Sequence, residues 1–218
     1  MKNMLKPMTH AHTRTAALVA VLTTFGFALP AAAHHPMGGA TPATLMEGLL
    51  SGFGHPIIGV DHLMFIIGFG IACYYFGQRI GAIVLFILGT LAGTLLHLRA
   101  PDVPYAEALV AASLIGLGVL LFRRSEFLRG NAATALFAAC GIAHGYAYGE
   151  AIIGAEATPL LAYLSGFSMV QFAIVLCGYA IAYYIARAKP AFPMPEASGA
   201  ALGSIGAGFL MYALLTQG

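Results

Sequence analysis

IGAIVLFILGTLAGTLLHL, residues 80–98, is a run of 19 residues without an Asp, Glu, Lys or Arg. As an α-helix it measures about 28 Å, close to the ~30 Å hydrocarbon thickness of a bilayer. Working outward, five more apolar stretches of similar length flank it, at about 56–76, 105–122, 132–153, 159–186 and 197–215. Of the 218 residues, 60% are hydrophobic and only 8% charged. A soluble domain carries roughly 25% charged residues, so a water-soluble globule, a disordered tail and a disulfide scaffold are all excluded. The expected fold is all-α: a polytopic membrane bundle of six transmembrane helices, filling residues 34–218.

Residues 1–33 read as a signal peptide. Lys2, Lys6 and Arg14 precede an apolar stretch from Thr15 to Leu29, and Pro30-Ala31-Ala32-Ala33 supplies a small-residue cleavage site. The alternative is an uncleaved first helix. Cleavage removes three of the 10 Lys+Arg and none of the 8 Asp+Glu, turning a net charge of +2 into −1. No basic face for nucleic acid survives that change. Cys73, Cys140 and Cys177 lie singly in apolar stretches and read as buried small residues.

The loops set the expected orientation. With the mature N-terminus outside, the inner connections hold Arg79, Arg123, Arg124, Arg129, Arg187 and Lys189, against Arg99 alone on the outer side. That bias is the positive-inside pattern, and it places both mature termini in the periplasm of a bacterial inner membrane. The outer side holds the acids Glu47, Asp102, Glu107 and Glu156, which read as solvated loop charges that weakly concentrate cations. Gly89-x-x-x-Gly93 and Gly199-x-x-x-Gly203 are the small-residue spacing that lets membrane helices approach closely. A short stretch, 44–53, precedes the first span and is expected to lie at the outer interface.

Ionisable side chains inside a span cost at least ~2.5 kcal/mol at the bilayer centre and usually mark function. Two clusters stand out: His55-Pro-Ile-Ile-Gly-Val-Asp61-His62, and His144-Gly145-Tyr146-Ala147-Tyr148-Gly149-Glu150. On one continuous helix His55 and His62, seven apart, share a face. Asp61 beside His62 suits a metal ligand or an imidazole's orienting partner; a structural polar pair and a proton relay are the alternatives. Gly145, Tyr148 and Gly149 read as packing. The expected topology brings both clusters to the outer half of the membrane, at the level of His97. His97 is either an interfacial histidine or, with His34 and His35 behind the signal peptide, a place where an ion is first caught. Such a set of nitrogen and oxygen donors suits Ni²⁺, Co²⁺ or Zn²⁺ rather than Cu⁺.

These motifs resemble the HupE/UreJ membrane proteins, nickel permeases and accessory proteins associated with hydrogenase and urease. The likeness rests on the signal peptide ending just before a His, on His55, Asp61 and His62, and on His144, Gly145, Ala147, Gly149 and Glu150. It implies that His55, Asp61, His62, His144 and Glu150 handle a metal ion. It also implies an accessory role towards metalloenzyme maturation proteins. The family pattern carries a His where this chain has Tyr148, and a neutral phenol is a weaker ligand than an imidazole. The expected activity is therefore secondary transport of Ni²⁺, with Co²⁺ next, and no permanently bound cofactor. No P-loop for ATP is present. The rivals are a metal-dependent intramembrane hydrolase, with Zn²⁺ activating water, and a membrane metal-delivery protein. Against the hydrolase, the sequence has no H-E-x-x-H.

Overall fold

The computed structural model describes residues 40–100 and 105–216. The expected signal peptide, residues 1–33, and His34, His35 and Asp102 lie outside them. The described residues form seven α-helices and no strand: α1 (Leu45–Ile58), α2 (Val60–Phe76), α3 (Ile80–His97), α4 (Ala106–Phe122), α5 (Asn131–Gly149), α6 (Ala157–Ala188) and α7 (Met194–Thr216). Short 3-10 turns at Glu126–Arg129 and Glu150–Ile152 flank α5.

The first apolar stretch is not one straight helix. Thr44 caps α1 through a reciprocal box with Glu47, which satisfies donors that a helix start otherwise leaves open. α1 then runs through His55 and Pro56 and ends at Gly59, whose backbone is extended at φ −70, ψ 98. α2 starts at once, bent by 75° from α1. Proline lacks the N–H of the helical ladder and clashes with the preceding turn, so Pro56 weakens the last turn of α1 and the break follows. Pro56 therefore sits at a helix end, not in the first turn of a span, and the expected interfacial stretch at 44–53 is the body of α1. Gly59 is also required by space: a Cβ there would lie 2.7 Å from the His62 ring.

Among the described residues, three helices are long and apolar enough to cross a membrane: Ile80–His97, Ala157–Ala188 and Met194–Thr216. The bent pair α1–α2 qualifies together, and α4 is a shorter apolar helix. Their outer faces carry exposed apolar side chains, among them Leu88, Leu161, Met169, Tyr184 and Leu215. Water-soluble monomers rarely expose contiguous apolar surface on that scale.

Four helix pairs build the bundle through close backbone contact. α3 lies along α5: a Cβ on Gly93 would sit 2.1 Å from Ile142 O, and one on Gly145 would sit 1.9 Å from Thr90 O. α4 lies along α7, where a Cβ on Gly199 would sit 2.5 Å from Gly118 O and 2.4 Å from Phe122 N. α6 runs beside both α1 and α2, with Gly52 against Tyr163 and Gly70 against Val175. Helices in lipid gain no hydrophobic drive from meeting, so such small-residue seams replace it with van der Waals contact.

Two layers fill the interior. The larger holds Phe65, Phe69, Phe76, Phe86, Phe137, Leu114 and Leu121. The smaller, nearer the start of α6, holds Tyr148, Ile152, Tyr163 and Phe167. The buried histidines lie where these layers meet.

Candidate functional site

The bend at Gly59 decides the site. His55 ends α1 and His62 begins α2, and the turn between them brings their rings to 6.0 Å between centroids, edge to face. The sequence expectation of one shared helix face is replaced by two helix ends folded towards each other. Asp61, in the first turn of α2, accepts the His62 backbone N–H at 2.8 Å, and a carboxylate there also suits the positive end of the helix dipole. His55, Asp61 and His62 are all at most 3% exposed.

α5 brings the second cluster against the first. His62 Nδ1 lies 2.8 Å from His144 Nδ1. His144 Nε2 lies 2.9 Å from Ser113 Oγ on α4. The Tyr148 ring covers both His62, at 4.5 Å between centroids, and His55, at 4.9 Å. From α6, the Tyr163 hydroxyl lies 3.0 Å from His55 Nδ1 and donates to Tyr148 O at 2.8 Å.

Proton bookkeeping now assigns the tautomers. A hydroxyl has one proton to give. Ser113 gives its proton to Val110 O at 2.7 Å, so the proton between Ser113 and His144 belongs to His144 Nε2. Neutral His144 then accepts at Nδ1, and His62 is the donor from its own Nδ1. Tyr163 gives its proton to Tyr148 O, so His55 likewise donates from Nδ1. His55 and His62 therefore both carry their lone pair on Nε2, which is the form a metal ion requires. His144 has both ring nitrogens committed and acts as the support behind His62.

A small enclosed cavity lies in front of these rings. It is lined by His55, Asp61, His62, Glu107, Val110, Ala147 and Glu150. The space open to the centre of a water molecule is about 10 Å³, the lower edge of what one water needs. Among the described residues, no three His, Cys, Asp or Glu side chains already stand as a metal-binding set. The His62–His144 hydrogen bond accounts for part of this, because it turns two expected ligands towards each other.

Residues 20–209 match the family model described as HupE / UreJ protein. This chain belongs to the HupE/UreJ family. The match takes in every helix from α1 to α6 and most of α7, with the whole cavity. No curated protein and no solved structure matches the chain. Membership and the exposed apolar helices together make it a membrane protein.

Within this HupE/UreJ chain the expected site residues separate into three groups. His55, Asp61, His62 and Glu150 line the cavity, Glu150 as an exposed residue at its rim. His144 does not line it and reaches it through His62. His97 is elsewhere: its ring packs on Tyr146 at a tilt of 55°, 4.4 Å between centroids, and Gly149 makes room for it. Gly145 and Gly149 serve close packing, against Thr90 and His97 respectively. Sequence reasoning missed Glu107, which it treated as an outer loop charge, and also Ser113 and Tyr163. Glu107 carried a usable signal, since it stands in the first turn of a helix that opens the next span. Ser113 and Tyr163 carried none: a lone hydroxyl in an apolar helix is ordinary until its neighbours are known.

Proposed function

We propose that this chain carries a divalent transition-metal cation across the bacterial inner membrane, with Ni²⁺ the first candidate, Co²⁺ the second and Zn²⁺ the third. The observation that carries this reading is the cavity, where the imidazoles of His55 and His62 meet Asp61, Glu107 and Glu150. Borderline ions take mixed imidazole and carboxylate ligands, and buried ionisable groups in a membrane protein are rarely retained without such use.

The ion enters from the periplasmic side past Glu150, sheds water, and is taken by His55 and His62 with Asp61 and Glu107. His144 and Ser113 hold His62 in the tautomer that binds. The donors stand on α1, α2, α4 and the turn after α5, so small side-chain shifts close them on the ion. This reading includes six crossings, a removed signal peptide, both mature termini outside, and service to hydrogenase or urease maturation. The cavity is sized for one water or one ion, with no room for a hydrolysable substrate beside it. That favours transport over the hydrolase reading.

The test is uptake of ⁶³Ni²⁺ and ⁵⁷Co²⁺ by cells expressing the wild type, His62→Ala or Glu150→Ala at equal membrane levels. Wild-type uptake above background, lowered at least tenfold in His62→Ala and more mildly in Glu150→Ala, supports the proposal. No uptake of either ion by an intact wild type overturns it.

A further inference from the structure

Gln171 stands near the midpoint of the 32-residue helix α6 and is fully buried. Its Oε1 lies 3.2 Å from the Thr90 hydroxyl on α3, but that hydroxyl also lies 2.7 Å from Ile87 O. The hydroxyl has one proton, and the closer Ile87 O takes it, so the Gln171 head is under-served on this side too. Gln171 Nε2 has no hydrogen-bond partner among the described residues. An amide head with this much unused capacity is costly in a low-dielectric interior.

A second orphan lies close by. Tyr148 is fully buried, and its hydroxyl also has no partner among the described residues. The Tyr148 ring contacts Phe167, at 5.5 Å between centroids, and Gln171 is one turn further along α6 on the same face. Side chains on a helix lean towards its N-terminus, so the Tyr148 phenol leans towards the α5 turn that holds Gly145. That turn is pressed against Thr90. Thr90 and Gln171 thus meet one helical turn from the level at which Phe167 packs on Tyr148, further from the start of α6 than the Tyr163–His55 contact.

We propose that Gln171, Thr90 and Tyr148 form a second polar station, which receives the coordination waters of a divalent cation leaving the histidine cavity. The inference rests on the transport reading and extends it past the cavity. Water is the ligand that fits. It donates to the under-served Oε1 and accepts from Nε2–H and the phenol. The O–H groups of a water in an ion's own hydration shell, being polarised, donate better still, to Oε1 and to the phenol oxygen. Amide and hydroxyl groups bind that shell weakly, as a point of transit requires. Without such a station the ion faces the aromatic layer of Phe65, Phe69 and Phe86 directly.

The experiment compares wild type, Gln171→Leu, Thr90→Val and Tyr148→Phe in two assays: Ni²⁺ binding to purified full-length protein by calorimetry, and ⁶³Ni²⁺ uptake into proteoliposomes. Thermal unfolding of each variant is followed in parallel. The expected result for Gln171→Leu is binding within about twofold of wild type, uptake at least tenfold slower, and an unfolding temperature equal to or above wild type. Thr90→Val and Tyr148→Phe, which keep side-chain volume, slow uptake about threefold and stand in for Gln171→Leu should it fail to fold. Uptake at the wild-type rate in the folded variants overturns the station alone. A lower unfolding temperature with unchanged uptake makes Gln171 a helix fastener and also overturns it. A wild type that binds Ni²⁺ and moves none overturns the transport reading itself.

Discussion

The two ends of the bundle bury polar groups in opposite ways. At the end where α1 meets α2, a network runs from Tyr163 through His55, Tyr148, His62 and His144 to Ser113, drawing on five helices. At the other end an ion pair is buried. Arg124 Nε lies 2.6 Å from Glu196 Oε1, and Glu196 is fully buried at the start of α7. Arg124 holds a left-handed φ of 45 to make that contact, a conformation costing a non-glycine residue roughly 1–2 kcal/mol. The first end spends its polarity on neutral, tautomer-ordered rings around a cavity. The second spends it on tying the α4–α5 connection to α7. On the proposed reading, polar burial is a binding device at one end and a fastening at the other, and perturbations should separate the two.

The largest effect is expected between the ends, on the α3–α5 seam. Gly145→Val places a side chain where a Cβ alone would sit 1.9 Å from Thr90 O, and backbone cannot give way. The two helices must part, so little monodisperse protein is expected by size-exclusion chromatography. Next comes Arg124→Leu, which leaves the Glu196 carboxylate buried without its partner. Removing one member of a buried pair costs about 3–5 kcal/mol, so the unfolding temperature falls while Ni²⁺ affinity stays near wild type.

Ser113→Ala is the matching change at the other end. It strands the His144 Nε2–H, at a cost of about 1–3 kcal/mol, and frees the pair to exchange tautomers. Calorimetry should show metal affinity weakened severalfold, unlike in Arg124→Leu. Equal losses of affinity in the two variants would break the contrast between the ends. The cavity should also bind metal less well as the pH falls, because a protonated imidazole offers no lone pair. Affinity that stays flat from pH 8 to pH 5 would remove the histidines from the ligand set. The smallest effect is expected for Gly116→Ala, where a Cβ meets nothing within 4 Å. A compatible Gly→Ala change stabilises by ~0.4–1 kcal/mol, so the unfolding temperature should hold or rise slightly.

The Arg124–Glu196 pair was invisible in the sequence. Glu196 is a single acid after two prolines, and Arg124 is one of several arginines in a basic loop; neither has a partner at helical spacing. Tyr148 was legible only as a departure from a family pattern. Its ring packing on His55 and His62, and its buried hydroxyl, belong to the tertiary arrangement.

By itself the sequence determined what hydropathy and residue type determine: apolar helices, glycine seams, and two polar clusters that a membrane interior does not hold idly. These are local properties, readable within one helix length. Only the tertiary structure decided that His55 and His62 belong to two helices bent by 75°, and that His144 supports His62 from 82 residues away. It alone brought Tyr163 to His55 across 108 residues, and Glu107 to the cavity. The reason is geometric. Which faces meet depends on how each helix is rotated about its axis, and that rotation is set jointly by backbone contacts at Gly59, Gly93, Gly145 and Gly199, far apart in the chain.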